Sequence, residues 1–260
     1  MNKDRKAKRG FFLILNGKAV TAVVCIILAA AIFGIVYSPA IVGAYATERQ
    51  LPIYCVETDE KKIAISFDAA WGNEDTEELI RILDEYDVKT TFFVVGEWVD
   101  KYPESVKALS DAGHEIMNHS DDHAHFAQLS ASEIVSNITA CNDKIAAITG
   151  IKPILFRPPY GEYDDHVIAA VESMGMYSIQ WDVDSLDWKE LSAGEITKRV
   201  TENVTPGSIV LFHNAAINTP EALPGILSDL QSKGYEIVPI SELIIRENYE
   251  IDHTGRQYSK

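Results

Sequence analysis

IAISFDAAWG, residues 63–72, decides the fold. Ile63, Ile65 and Phe67 recur with a period of two, which sets them on one face of a β-strand, and the run stops at Asp68. Downstream, Leu79, Ile80, Ile82, Leu83 and Tyr86 form one apolar face at helical spacing, with Asp75 or Thr76 placed to cap it. A strand followed by an amphipathic helix is a βα unit, and the pattern repeats along the chain. It predicts strands over 63–68, 90–95, 115–119, 154–158, 178–184, 208–213 and 236–240.

The helix ends support that alternation. Ser130 with Glu133 and Ser192 with Glu195 are capping boxes, in which a hydroxyl and a carboxylate satisfy free N–H groups. Gly113, Gly150, Gly175 and Gly234 follow helices, where a left-handed residue closes the last turn. Pro220 suits a first helical turn. Seven units are one short of the usual eight. The expected fold class is therefore α/β, a distorted (β/α)7-type barrel, with its chemistry at the carboxyl ends of the strands.

The chain of 260 residues carries a net charge of −16, yet Lys3, Arg5, Lys6, Lys8, Arg9 and Lys18 face only Asp4 in the first 47 residues. The rest of the chain is thus more acidic than the whole. Such a surface repels a phosphate backbone, so no nucleic acid partner is expected. Ala19 to Thr47 contains no charged residue, and with the basic flank this predicts a single N-terminal transmembrane helix, residues 19–46, with everything after about Thr47 outside the cytoplasm. The rival reading is a signal peptide cut after Ala46, since Ala44-Tyr45-Ala46 is a small-x-small site. The expected location is the cell membrane, single-pass, or secreted if cleaved.

The predicted organisation is a cytoplasmic basic segment 1–18, the span 19–46, a linker 47–61, a catalytic domain 62–247 and a polar surface tail 248–260. No protein partner is identifiable. Cys55 and Cys141 are the only possible extracellular pair, and a buried free thiol is the commoner outcome for such residues.

Five stretches, SFDAAWG, HSDDH, RPPYG, DSLDW and LFH, fall at predicted strand ends. Asp68 supplies a base. His119 and His123, four residues apart, can face one ion. Arg157, if buried, needs a carboxylate, and Asp68 is the natural partner. A carboxylate on one ring nitrogen of His213 would fix its tautomer and prepare it as a general acid. The set suits metal-assisted amide hydrolysis. Trp71 either stacks on a sugar ring or packs in the core.

These motifs, in this order over about residues 62–245, resemble the polysaccharide deacetylase family, carbohydrate esterase family 4, which shares the NodB homology domain. The apolar segment, the SFDAAWGNEDT wording and HNAA after the last motif look most like PdaB-type sporulation deacetylases. The resemblance implies Asp68 as catalytic base, His119 and His123 as ligands of a divalent metal, usually zinc, and Arg157 as the group that orients the base. It further implies that the Tyr160 N–H holds the oxyanion, that Asp187 tunes the acid His213, and that Trp188 and Leu211 wall the acetyl pocket.

The chain departs from the family at Ala69, where a second aspartate usually supplies the third metal ligand. A methyl group cannot bind an ion, so Asp121, Asp122 or His125 would have to substitute. The expected function is metal-dependent removal of N-acetyl groups from amino sugars of a cell-wall glycan, peptidoglycan above all, with release of acetate. The alternative is a saccharide-binding module that has lost hydrolysis with its third ligand.

Overall fold

A computed structural model describes residues 17–36 and 49–260. Among the described residues, 17–36 and 50–260 belong to separate units. The first contains helix α1, Gly17–Val36, on which Ile26, Ile27 and Phe33 are exposed. The expected transmembrane helix over 19–46 is corrected to this extent: its described part is α1, and among the described residues no helix is long and apolar enough to cross a membrane. Residues 37–46 lie outside the described ones.

The second unit is built on parallel strands β2 (Lys62–Ala69), β3 (Thr91–Val94), β4 (Glu115–Asn118), β5 (Leu155–Phe156), β6 (Tyr177–Ser178), β7 (Val183–Asp184) and β8 (Ile209–His213). They lie in the order β6-β5-β4-β3-β2-β8-β7, and β9 (Glu236–Ile237) pairs with the start of β2. The predicted strand 178–184 is two strands. Between them the backbone bonds elsewhere, Gln180 N–H to Ile53 O (2.7 Å) and Asp182 N–H to Ile209 O (3.2 Å). β6 and β7 therefore sit at opposite edges, and the sheet forms an open, distorted barrel.

Alternation along β2 sorts two cores. Phe67 stacks with Phe92 and Phe212 (ring centroids 4.8 and 5.5 Å) in the layer that also holds Leu79 and Ile82 of α2 (Thr76–Glu85). On the other face Ala64 packs with Phe93, Met117, Leu155 and Ile209. Both capping boxes form, on α5 (Ala131–Thr149) and α7 (Ala193–Asn203). The shorter helices α3 (Gly96–Lys101), α4 (Pro103–Asp111) and α6 (Asp165–Ser173) complete the set up to α7, and α8 (Thr219–Ser232) and α9 (Ile240–Leu243) come after it. Asp75 does not cap α2; its Oδ2 accepts from Ala215 N–H at 2.8 Å.

The last residues, expected as a polar surface tail, include two strands. β10 (Tyr249–Ile251) and β11 (Arg256–Ser259) form a hairpin that adds to β1 (Cys55–Val56). The Val56 N–H reaches Gly207 O, and a Cβ at Gly207 would collide with Val56 O, so glycine is required there. Cys55 and Cys141 are both free and buried.

Candidate active site

Asp68 stands one residue from the end of β2, where the two central neighbours put Phe93 on one side and His213 on the other. The expected base and acid are thus register partners on adjacent strands. His119 follows β4, Arg157 follows β5 and Asp187 follows β7, so the five motifs meet at the carboxyl rim.

Arg157 is fully buried. Its Nη1 donates to Asp68 Oδ1 at 2.7 Å, its Nη2 to Ser66 Oγ (2.9 Å) and Gln180 O (3.2 Å), and its guanidinium lies 4.1 Å from the Phe93 ring centre. These contacts fix the carboxylate in one orientation. Burial opposes charge on Asp68, but His119, Arg157 and His213 outweigh it and hold the carboxyl below its ordinary range.

His213 Nδ1 lies 2.8 Å from Asp187 Oδ1. A carboxylate oxygen only accepts, so Nδ1 carries the proton and Nε2 is the other ring nitrogen available for proton exchange. Asp187 is itself buried and accepts from Trp188 N–H, His213 N–H and Thr219 Oγ1. Burial pulls the His213 pKa down, yet Asp187, Asp68 and Asp184 together raise it above the ordinary value.

His119 Nδ1 donates to Arg157 O (2.7 Å), which turns Nε2 toward Asp68 Oδ2 at 3.4 Å. His123, in a left-handed conformation (φ 56°), sets its ring edge-on to His119 with centroids 5.1 Å apart. Burial first, and His119 second, push the His123 pKa down to about 4. Burial thus opposes protonation of both imidazoles, whose neutral form is the one that binds metals.

The donor set nevertheless does not complete a catalytic zinc site, which takes three protein ligands. Ala69 ends β2 with its methyl buried among the core side chains. The three candidate substitutes are engaged elsewhere. Asp121 pairs with Lys144 Nζ (2.6 Å), Asp122 accepts from Asn137 Nδ2 (2.7 Å), and His125 bonds Glu162 (2.8 Å) while stacking on Tyr160 (4.4 Å). Among the described residues no group of three His, Cys, Asp or Glu side chains is placed to hold an ion.

Tyr160 has φ 59°, and its N–H donates to no protein group among the described residues. Such strain outside glycine is a mark of functional backbone. Every site residue expected from the sequence except Arg157 lines one cleft of about 650 Å³: Asp68, His119, His123, Tyr160, Asp187, Trp188, Leu211 and His213. Arg157 lies directly behind Asp68. Ser66, Thr219 and Asn214 were missed. Ser66 lies inside a motif and Asn214 directly follows one, which was the available signal, whereas Thr219 stands six positions after His213, and the partner of each lies far away in sequence.

A family model described as polysaccharide deacetylase matches residues 56–179. The chain is 37% identical over 198 residues to the peptidoglycan-N-acetylglucosamine deacetylase PgdA of Listeria monocytogenes, covering 76% of this chain and 41% of that protein. It thus spans less than half of PgdA. The peptidoglycan-N-acetylglucosamine deacetylase of Bacillus cereus is 31% identical over 189 residues, 71% of this chain and 69% of its own length. Among solved structures, the wild-type BA3943 protein of Bacillus anthracis, described as a CE4 family pseudoenzyme, superposes with a TM-score of 0.72 at 33% identity, covering 80% of this chain and 73% of that one. A mutant of BA3943 described as having restored enzymatic activity superposes with the same score at 36% identity, covering 75% and 71%.

Proposed function

The chain belongs to the polysaccharide deacetylase family, and we propose that it removes N-acetyl groups from amino sugars of cell-wall polysaccharide, peptidoglycan in particular, releasing acetate. The observation that carries this reading is the hydrogen bonding of two register partners that line one cleft. Asp68 accepts from Arg157 Nη1 at 2.7 Å, which favours its ionised form, and His213 Nδ1 donates to Asp187 Oδ1 at 2.8 Å, which favours proton uptake at Nε2, the arrangement an acid–base pair needs.

In the reaction, Asp68 accepts a proton from water as its oxygen bonds to the acetamide carbonyl carbon. The Tyr160 N–H receives the developing oxyanion. The C–N bond then breaks while His213 gives its proton to the nitrogen, leaving acetate and a free amine. Trp188 and Leu211 bound the space for the acetyl methyl. Arg157 holds Asp68 in line and does not enter the cleft.

Ala69 favours one second reading, a saccharide-binding module. A metal-dependent member of the family would gain a third donor from Ala69→Asp, so this substitution is expected to raise zinc affinity by about 100-fold or more. Chelator competition on the full chain measures it. Unchanged affinity together with a lowered Tm would mean that the new carboxylate stays unpaired in the core and that zinc does not bind through this position.

Export from the cytoplasm forms part of the proposal, supported by the basic flank before the uncharged stretch and by a substrate that lies outside the membrane. Fractionation of producing cells is expected to place the protein in the membrane or external fraction. Recovery in the cytosol would contradict it. A finer assignment to the PdaB-type sporulation deacetylases rests on the apolar segment, the SFDAAWGNEDT wording and HNAA after the last motif.

A further inference from the structure

Among the described residues from 49 onward, five large apolar side chains are more than half exposed: Trp71, Ile151, Tyr160, Trp188 and Ile217. Four of them line the catalytic cleft, Ile151 being the exception. A clustered apolar rim marks a binding surface. Tyr160 and Trp188 already have places in the deacetylase reading; for Trp71 the sequence left sugar stacking and core packing open, and its exposure excludes the second.

The Trp71 indole is 56% exposed, yet the backbone on both sides of it is fastened. Ala70 N–H donates to Asn214 Oδ1 (3.2 Å), and Asn214 Nδ2 donates to Gly72 O. The same carbonyl accepts from Trp98 Nε1 (2.9 Å). Asn214 is buried and its own N–H bonds Asp68 O (3.1 Å). One buried amide thus ties the Trp71 loop to the residue after His213 and to the backbone of Asp68. A large aromatic held out in water by a rigid loop gains nothing for folding. It is preorganised for a ligand.

The position of the ring says which ligand. Its centroid is 5.8 Å from that of His213 and 6.4 Å from that of His123, so it stands beside the proposed acid in the same cleft. A pyranose has C–H faces that pack on aromatic rings and hydroxyl edges that remain free for water and polar side chains. Resting on the deacetylase reading, we infer that Trp71 is the stacking platform for the sugar ring whose acetamide reaches Asp68 and His213, with Asn214 as its positioning residue. Trp71 thereby selects N-acetylated pyranosides over small acyclic amides.

The test titrates the full chain with tetra-N-acetylchitotetraose, by calorimetry and indole fluorescence, beside steady-state acetate release. Trp71→Ala is expected to weaken binding at least about 10-fold and to raise KM more than it lowers kcat. Trp71→Phe keeps an aromatic face and is expected to recover most of the loss. The side chain is exposed, so the Tm of both variants should match wild type. Wild-type turnover combined with undiminished sugar affinity in Trp71→Ala would overturn the platform and leave the deacetylase reading standing. A wild-type chain that neither binds the tetrasaccharide nor releases acetate would overturn both. Concentration-dependent dimerisation abolished by Trp71→Ala, with sugar binding unchanged, would assign the aromatic rim to a second copy of the chain instead.

Discussion

Replacing Asp68 by Asn is expected to lower acetate release from N-acetyl chitooligosaccharide by about 10³-fold, the scale of a lost general base. An amide cannot take a proton from water at neutral pH. It can still accept the Arg157 Nη1 hydrogen bond that Oδ1 now receives at 2.7 Å, so the geometry of the site is retained. What goes is the counter-charge for a fully buried guanidinium. Removing one partner of a buried ion pair outright costs about 3–5 kcal/mol, and the retained hydrogen bond keeps the Asn variant below that range. A thermal melt beside the acetate assay separates the two effects. Turnover within tenfold of wild type in a folded Asp68→Asn chain would remove Asp68 from the role of base.

The second large effect concerns His213. Its alanine variant is expected to lose about 10² to 10³-fold in kcat, because the amine then departs unprotonated. Burial alone would lower the pKa of this imidazole, but the hydrogen bond to Asp187 and the charges of Asp187, Asp68 and Asp184 raise it above 6.5. The acid form is the active one, so the rate falls as pH rises through that raised value. Asp187→Asn removes the largest raising influence, and the alkaline limb is expected to move to lower pH. The acidic limb reports Asp68 and lies below the ordinary carboxylate value of 3.8. A pH profile of kcat/KM for wild type and Asp187→Asn measures both limbs. An alkaline limb that stays in place would show that another group supplies the proton.

The strands around the site were legible because each apolar run ends in a chemically unusual residue, as at Asp68, His119 and His213. The order in which strands lie side by side was not legible. That Asp68 faces His213 across β2 and β8, over a separation of 145 positions, depends on sheet assembly that no local period records. The break between β6 and β7 was hidden for a related reason, since Gln180 and Asp182 trade ladder partners for Ile53 and Ile209. Asp75 looked like a helix cap because an acidic residue before an amphipathic run suits one; its carboxylate instead holds the loop after His213. The C-terminal hairpin did leave a sign. Asp252 Oδ1 accepts from the N–H groups of Thr254 and Arg256, which flank Gly255 at φ 84°, and Asp-His-Thr-Gly is turn chemistry. Ala69 was legible at once as a methyl where the family usually has an aspartate, and the structure buries that methyl in the core.

Acetate release by the purified full chain, measured on N-acetyl chitotetraose and on peptidoglycan with and without added zinc, tests the central claim most directly. The account requires acetate and free amine in equal amounts, lost together in Asp68→Asn and His213→Ala. Saturable binding of the same glycans with no acetate released under any of these conditions would contradict it and would establish the cleft as a saccharide-binding site.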